Sequence, residues 1–196
     1  MSTLLKLHST IMNVYEFTLL IETQAGLDDG LEDALFEAGC DDATLSFRKG
    51  IAYLDFNREA EDFESAIISA IQQVEQSGLN LWVKRVEPSD LVTSAEIARR
   101  LGRSRQSVQQ LISGPRGEGD FPLPAAGITA KTILWSWQEV TVWFLKHGKL
   151  KDNTVHEKAV IIKQVNESLE SRKNETYLEN ISRITKLLKK RTGEFA

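Results

Sequence analysis

Residues 93–113 read TSAEIARRLGRSRQSVQQLIS, and the organisation of the chain turns on them. Thr93 followed by Glu96 has the spacing of a capping box, in which each side chain satisfies a backbone N–H left free at a helix start. Ile97, Ala98 and Leu101 recur at helical spacing and form one apolar stripe. Gly102 follows as a turn residue that tolerates positive φ. Ser104 suits the N-cap of a second helix with Val108, Leu111 and Ile112 on its apolar face. Arg103, Arg105, Gln106, Gln109 and Gln110 are left on the outward face, and no Asp or Glu occurs over 102–113. The pattern predicts a helix-turn-helix whose second helix is equipped for DNA. Arg forks onto guanine, Gln onto adenine, and a helix N-terminus favours a phosphate oxygen. A helical hairpin buried in a core has the same apolar spacing.

Further along, residues 115–148 read PRGEGDFPLPAAGITAKTILWSWQEVTVWFLKHG. Pro122 and Pro124 hold residues 121–124 extended, because each proline disfavours helix for itself and its predecessor. Residues 132–135 alternate like a strand, and Ser136 caps a helix over 137–146. Two extended pieces joined by a glycine-containing tip predict a wing. Residues 92–145 therefore resemble the winged helix-turn-helix of the excisionase and AlpA-type regulators, related to the MerR DNA-binding head. The matching features are residues 93–101, Ser104-Arg105 with Val108 and Ile112, the run Phe121-Pro122-Leu123-Pro124, Trp135, and Glu139-Val140 with Trp143. The tip at 125–130 departs from that pattern: it lacks an Arg/Lys cluster, with only Arg116 and Lys131 nearby. The resemblance implies sequence-specific binding of double-stranded DNA. In that reading Arg105 and Gln106 reach base edges, Ser104 and Ser107 hold phosphate, and Arg99 and Arg103 add electrostatic anchoring; Gln109, Gln110, Arg116 and Lys131 complete the candidate DNA-facing set.

Upstream, every segment has a period and a terminator. Residues 15–22 are a strand of strong β formers, and 31–38 a short helix with Leu31, Ala34, Leu35 and Ala38 on one face. Residues 44–48 and 51–56 alternate around Lys49-Gly50, the signature of a two-residue hairpin. A second helix over 60–76 presents Phe63, Ile67, Ile71 and Val74, and 81–86 is a last strand. The order β-α-β-β-α-β is that of a ferredoxin-like sandwich. The expected class is α+β. A leader at 1–14 precedes a ferredoxin-like βαββαβ domain at 15–88. A winged helix-turn-helix follows at 89–147, and a helical dimerisation or partner segment at 148–196.

That last segment holds no Gly or Pro over 154–190. Val155, Ala159, Ile162, Val165 and Leu169 mark one apolar stripe; Tyr177, Leu178, Ile181, Ile184 and Leu188 mark another. A polar waist at 170–176 separates them, so one long helix or two shorter ones fit equally. The spacing suits a coiled-coil seam or a groove-binding helix, hence an expected homodimer through these helices.

Charge separates the parts. The net value of −4 over 196 residues conceals −10 in residues 1–89, from 6 basic and 16 acidic side chains. Residues 90–145 carry +1 and 146–196 carry +5. The acidic first part is repelled by phosphate and is expected to face another partner. The single cysteine, Cys40, excludes an internal disulfide, fits a reducing compartment, and reads as a small buried residue by a helix end. The apolar runs in the first 25 residues are broken by Lys6, His8, Asn13 and Glu16. A cytoplasmic protein without a membrane span is expected. His8, His147 and His156 are scattered, Asp41-Asp42 lacks a histidine, and the glycines at 114–119 lack a following Lys-Ser/Thr. No catalytic residue, metal or cofactor is expected. The functional expectation is a sequence-specific DNA-binding transcriptional regulator. The alternative is an antitoxin or adaptor whose main role is to bind a partner protein on the acidic domain or the C-terminal helices. A small-molecule sensor remains a third option, since ACT-like domains share the βαββαβ order.

Overall fold

A computed structural model of the chain describes residues 11–23, 30–114, 120–172 and 175–192. They form a mixed α+β structure with a four-stranded antiparallel sheet and seven helices.

The sheet is built from β1 (Asn13–Thr23), β2 (Ala43–Arg48), β3 (Ile51–Ala60) and β4 (Leu81–Glu87), in the order β2-β3-β1-β4. Period-2 alternation sends Phe17, Leu19 and Ile21 of β1 to one face, opposite Phe56, Leu54 and Ala52 of β3. Phe17 and Phe56 stack with centroids 5.2 Å apart. Lys49 and Gly50, both at positive φ, close the β2–β3 hairpin in the two expected residues. The buried face is covered by α1 (Leu31–Glu37) through Leu31 and Leu35, and by α2 (Phe63–Gln76). Three boundaries differ most from expectation. β1 begins at Asn13, two residues before the expected strand start, and residues 1–10 lie outside the described part. β3 runs on to Ala60, and α2 starts only at Phe63, because the Asp62 carboxylate accepts from Ser65 N at 2.7 Å and fixes the helix start there.

The second unit joins β5 (Leu91–Val92) to β6 (Trp135–Ser136) and adds α3 (Ser94–Arg100), α4 (Arg105–Ile112) and α5 (Trp137–Lys146). Its core gathers Val92, Ile97, Val108, Leu111, Val140 and Phe144 around Trp135, Trp137 and Trp143. These three tryptophans are thus packing residues. The helix starts were legible: Thr93, Ser104 and Ser136 each cap as expected. The extended pieces differ. Only a bridge between Ala126 and Leu134 joins them, and the regular pairing belongs to Trp135 and Ser136 against Leu91 and Val92. The turn between is tight, since a Cβ on Gly127 would lie 2.0 Å from the Thr132 carbonyl oxygen.

Two helices close the chain, α6 (Thr154–Ser171) and α7 (Glu175–Thr192), which settles the choice left open at the polar waist. The first stripe packs within the chain. Ala159 is buried in the second core, and Ile162, Val165 and Leu169 are buried in the first. α6 is a strap shared by both units. No helix among the described residues is long and apolar enough to cross a membrane.

Candidate functional site

The residues expected to face DNA are not one cluster of free side chains. Arg105, Gln106 and Gln109 are exposed on α4, with Ser104 at its N-cap and Ser107 and Gln110 half-buried. The Ser104 hydroxyl accepts from Ser107 N at 3.1 Å. Two of the expected anchors are engaged within the chain. Arg99 donates Nε and Nη2 to the Glu96 carboxylate at 2.9 and 2.6 Å. Arg103 donates to the Lys149 carbonyl at 2.9 Å and lies over the Phe144 ring at 5.1 Å. Lys131 is exposed in the 127–134 turn, and Arg116 lies outside the described residues. The capping box is half formed: Glu96 N donates to Thr93 Oγ1 at 3.1 Å, but the Glu96 side chain turns to Arg99 and Arg100. Those two guanidinium groups hold the Glu96 carboxyl well below its ordinary range, down to about 2.

Arg58 is a feature that sequence reasoning passed over. It follows Phe56 in the alternation and so points into the buried layer. Its guanidinium forks onto Asp42 at 2.8 and 2.7 Å, and donates to Gln73 Oε1 at 2.5 Å and the Gly39 carbonyl at 3.1 Å. The signal was available: a strand alternation running two residues past 56, with an Asp in the turn before β2. Asp42, weighed earlier as half of a metal pair, is engaged by this fork. Cys40 lies buried beside it, and burial pushes its thiol up from the usual range.

A further open surface lies along α2 and α6. β4 is an edge strand, and α6 covers that edge. The Asn166 side chain accepts from Val86 N at 2.7 Å and donates to Val86 O at 2.9 Å, replacing the neighbouring strand. Glu75 accepts from Val83 N at 3.1 Å and is itself held by both Nη atoms of Arg172 at 3.0 and 3.1 Å. Between α2 and α6 runs a groove of about 470 Å³, floored by Ile71, Val165 and Leu169 and edged by Ile68 and Ile161. Beyond it, α7 presents Leu178, Ile181, Ile184, Leu187 and Leu188 at 43–63% exposure. Five large apolar side chains on one helix, none buried in the chain, form an exposed apolar face.

No protein-family model and no solved structure matches the chain. One stretch of 52 residues, 26% of the chain, is 36% identical to the cell division protein FtsB of Vibrio campbellii and covers 56% of that protein's length. The chain thus spans little more than half of the curated relative it matches. This likeness overturns the expected DNA-binding transcriptional regulator: the stretch it resembles belongs to a cell division protein. The α3–α4 pair on which the first reading rested also has a role within the fold. Its apolar spacing builds the second core, and its arginines Arg99, Arg100 and Arg103 hold that unit together through Glu96, the Ser89 carbonyl and the Lys149 carbonyl.

Proposed function

We propose that the chain is a structural component of the cell-division apparatus, which acts by association through α7. In this reading residues 13–87 form a ferredoxin-like sandwich, in keeping with the strand order β2-β3-β1-β4, and the second unit is a winged-helix frame that serves as a structural module. α6 holds both units, leaving α7 as the arm that meets another protein. The observation that carries the proposal is the open apolar face of α7, and the local likeness to the Vibrio campbellii cell division protein names the setting.

A fluorescent fusion of the chain in its host tests this. The fusion concentrates at the division site, and Ile181→Asp with Leu188→Asp disperses it without changing its cellular level. A uniform distribution of the unaltered fusion, with division unaffected by depletion, overturns the reading.

A further inference from the structure

The groove between α2 and α6 and the face of α7 are two unpartnered surfaces of the same chain, and they match in three respects. The first is width. At ~100° per residue, Leu178, Ile181, Ile184, Leu187 and Leu188 spread over an arc of about 180°. A two-stranded seam uses a narrower stripe sustained over three or more heptads, whereas α7 has 18 residues. A helix apolar over half its circumference fits between two others, which is what a groove walled by α2 and α6 offers.

The second is length. From Leu178 to Leu188 the stripe runs about 15 Å, and the α6 wall of the groove, from Ile161 to Arg172, runs about 16 Å. The third is charge. The groove opens at the start of α2, where Glu61, Asp62 and Glu64 are exposed, in the half of the chain that carries −10. Its far end is closed by the Arg172–Glu75 fork. α7 carries Glu179 towards its start and Arg183, Lys186 and Lys189 further on. Laid antiparallel to α2 and α6, it sets its acidic end towards Arg172 and its basic turns by the acidic start of α2.

We propose that this groove receives α7 of a second copy of the chain, in a reciprocal two-fold dimer. Each copy gives one helix and accepts one, so both apolar surfaces are closed at once. The occupant is the second copy rather than the chain's own helix because the single chain leaves the face of α7 in solvent. The inference rests on the α7 association proposed above, but not on its place in cell division.

The test uses the purified full chain and two variants that keep their own folds, checked by circular dichroism. Ile68→Arg blocks the groove at a residue that is 39% exposed, and Ile181→Asp spoils the helix. Sedimentation gives a dimer for the unaltered chain, and each variant dimerises at least tenfold more weakly. A tagged Ile181→Asp chain, whose groove is intact, then retains an untagged Ile68→Arg chain, whose helix is intact. Neither variant retains itself. A monomeric unaltered chain overturns the proposal, as does a dimer indifferent to Ile68→Arg, which is the mark of helices pairing with each other. Failure of the mixed pair to associate overturns it too, since a helix closing on its own chain gains nothing from mixing. So does Ile181-dependent binding to anionic lipid vesicles in place of a dimer.

Discussion

Arg58 is 6% exposed and carries a fixed charge, so its partners decide whether the sheet end holds. Removing one member of a buried fork leaves the other desolvated without compensation, a cost of about 3–5 kcal/mol for fully buried pairs. Asp42 is 26% exposed and can recover some hydration, so Arg58→Ala is expected to destabilise the chain by about 2–3 kcal/mol in urea denaturation. Arg58→Lys restores the charge but not the fork, and recovers less than half of that loss. A second residue-scale expectation concerns acid. The Glu96 carboxyl is held down to about 2 by Arg99 and Arg100. Because the folded-state value lies below the ordinary one, the stabilisation is complete above the unfolded value near 4.5 and is lost as pH falls toward 2. After solvent screening it is worth on the order of 1 kcal/mol. A pH series of unfolding curves for the unaltered chain and Glu96→Gln should therefore converge at about pH 2 and separate above about pH 4.5. Curves that stay parallel throughout would remove Glu96 from the account.

Among the elements, α6 shows where the chain spends a polar residue to hold a boundary. Val86 on the edge strand needs an acceptor for its N–H and a donor for its carbonyl, and the Asn166 amide supplies both. Asn166→Leu keeps the volume and strands both groups, so a loss of about 1–3 kcal/mol is expected, read from the denaturation midpoint, with no change in helix content. An Asn166→Leu chain as stable as the original would mean that water serves that edge. This contact also marks the limit of what the sequence discloses. Strand alternation, the Lys49-Gly50 hairpin and the Thr93, Ser104 and Ser136 caps are local signals, and they placed most elements to within three residues. Whether the stripe Ala159, Ile162, Val165 and Leu169 meets a second copy or the chain's own sheet is a tertiary matter, and helical spacing is the same for both. The same ambiguity holds for the α3–α4 pair. Arg103 on an outward face looks identical in one dimension whether it meets a phosphate or the Lys149 carbonyl. Among the described residues of the two stripes, Leu178, Ile181, Ile184 and Leu188 stay open in the fold.

At the scale of the whole molecule, the strap decides how the two units share stability. The second core contains three tryptophans, and the fourth, Trp82, lies 51% exposed on β4. Tryptophan emission therefore reports mainly the second unit, while far-ultraviolet dichroism reports the sheet and all helices. Two units joined only by the residues between Glu87 and Leu91 would melt separately by these probes. Here Ala159 lies in one core and Ile162, Val165 and Leu169 in the other, on a single helix, and Lys163 and Asp90 approach within 3.8 Å at the joint. Unfolding either core releases α6 and exposes apolar surface of both. The two signals should trace one transition with the same midpoint and slope. Val165→Ala removes buried methyl groups from the first core only, at a cost of about 1–2 kcal/mol. If the strap couples the units, the tryptophan midpoint falls along with the dichroism midpoint, although no tryptophan lies in the first core. A dichroism transition that shifts alone, leaving tryptophan emission at its original midpoint, would show that α6 peels from the sheet without disturbing the second unit.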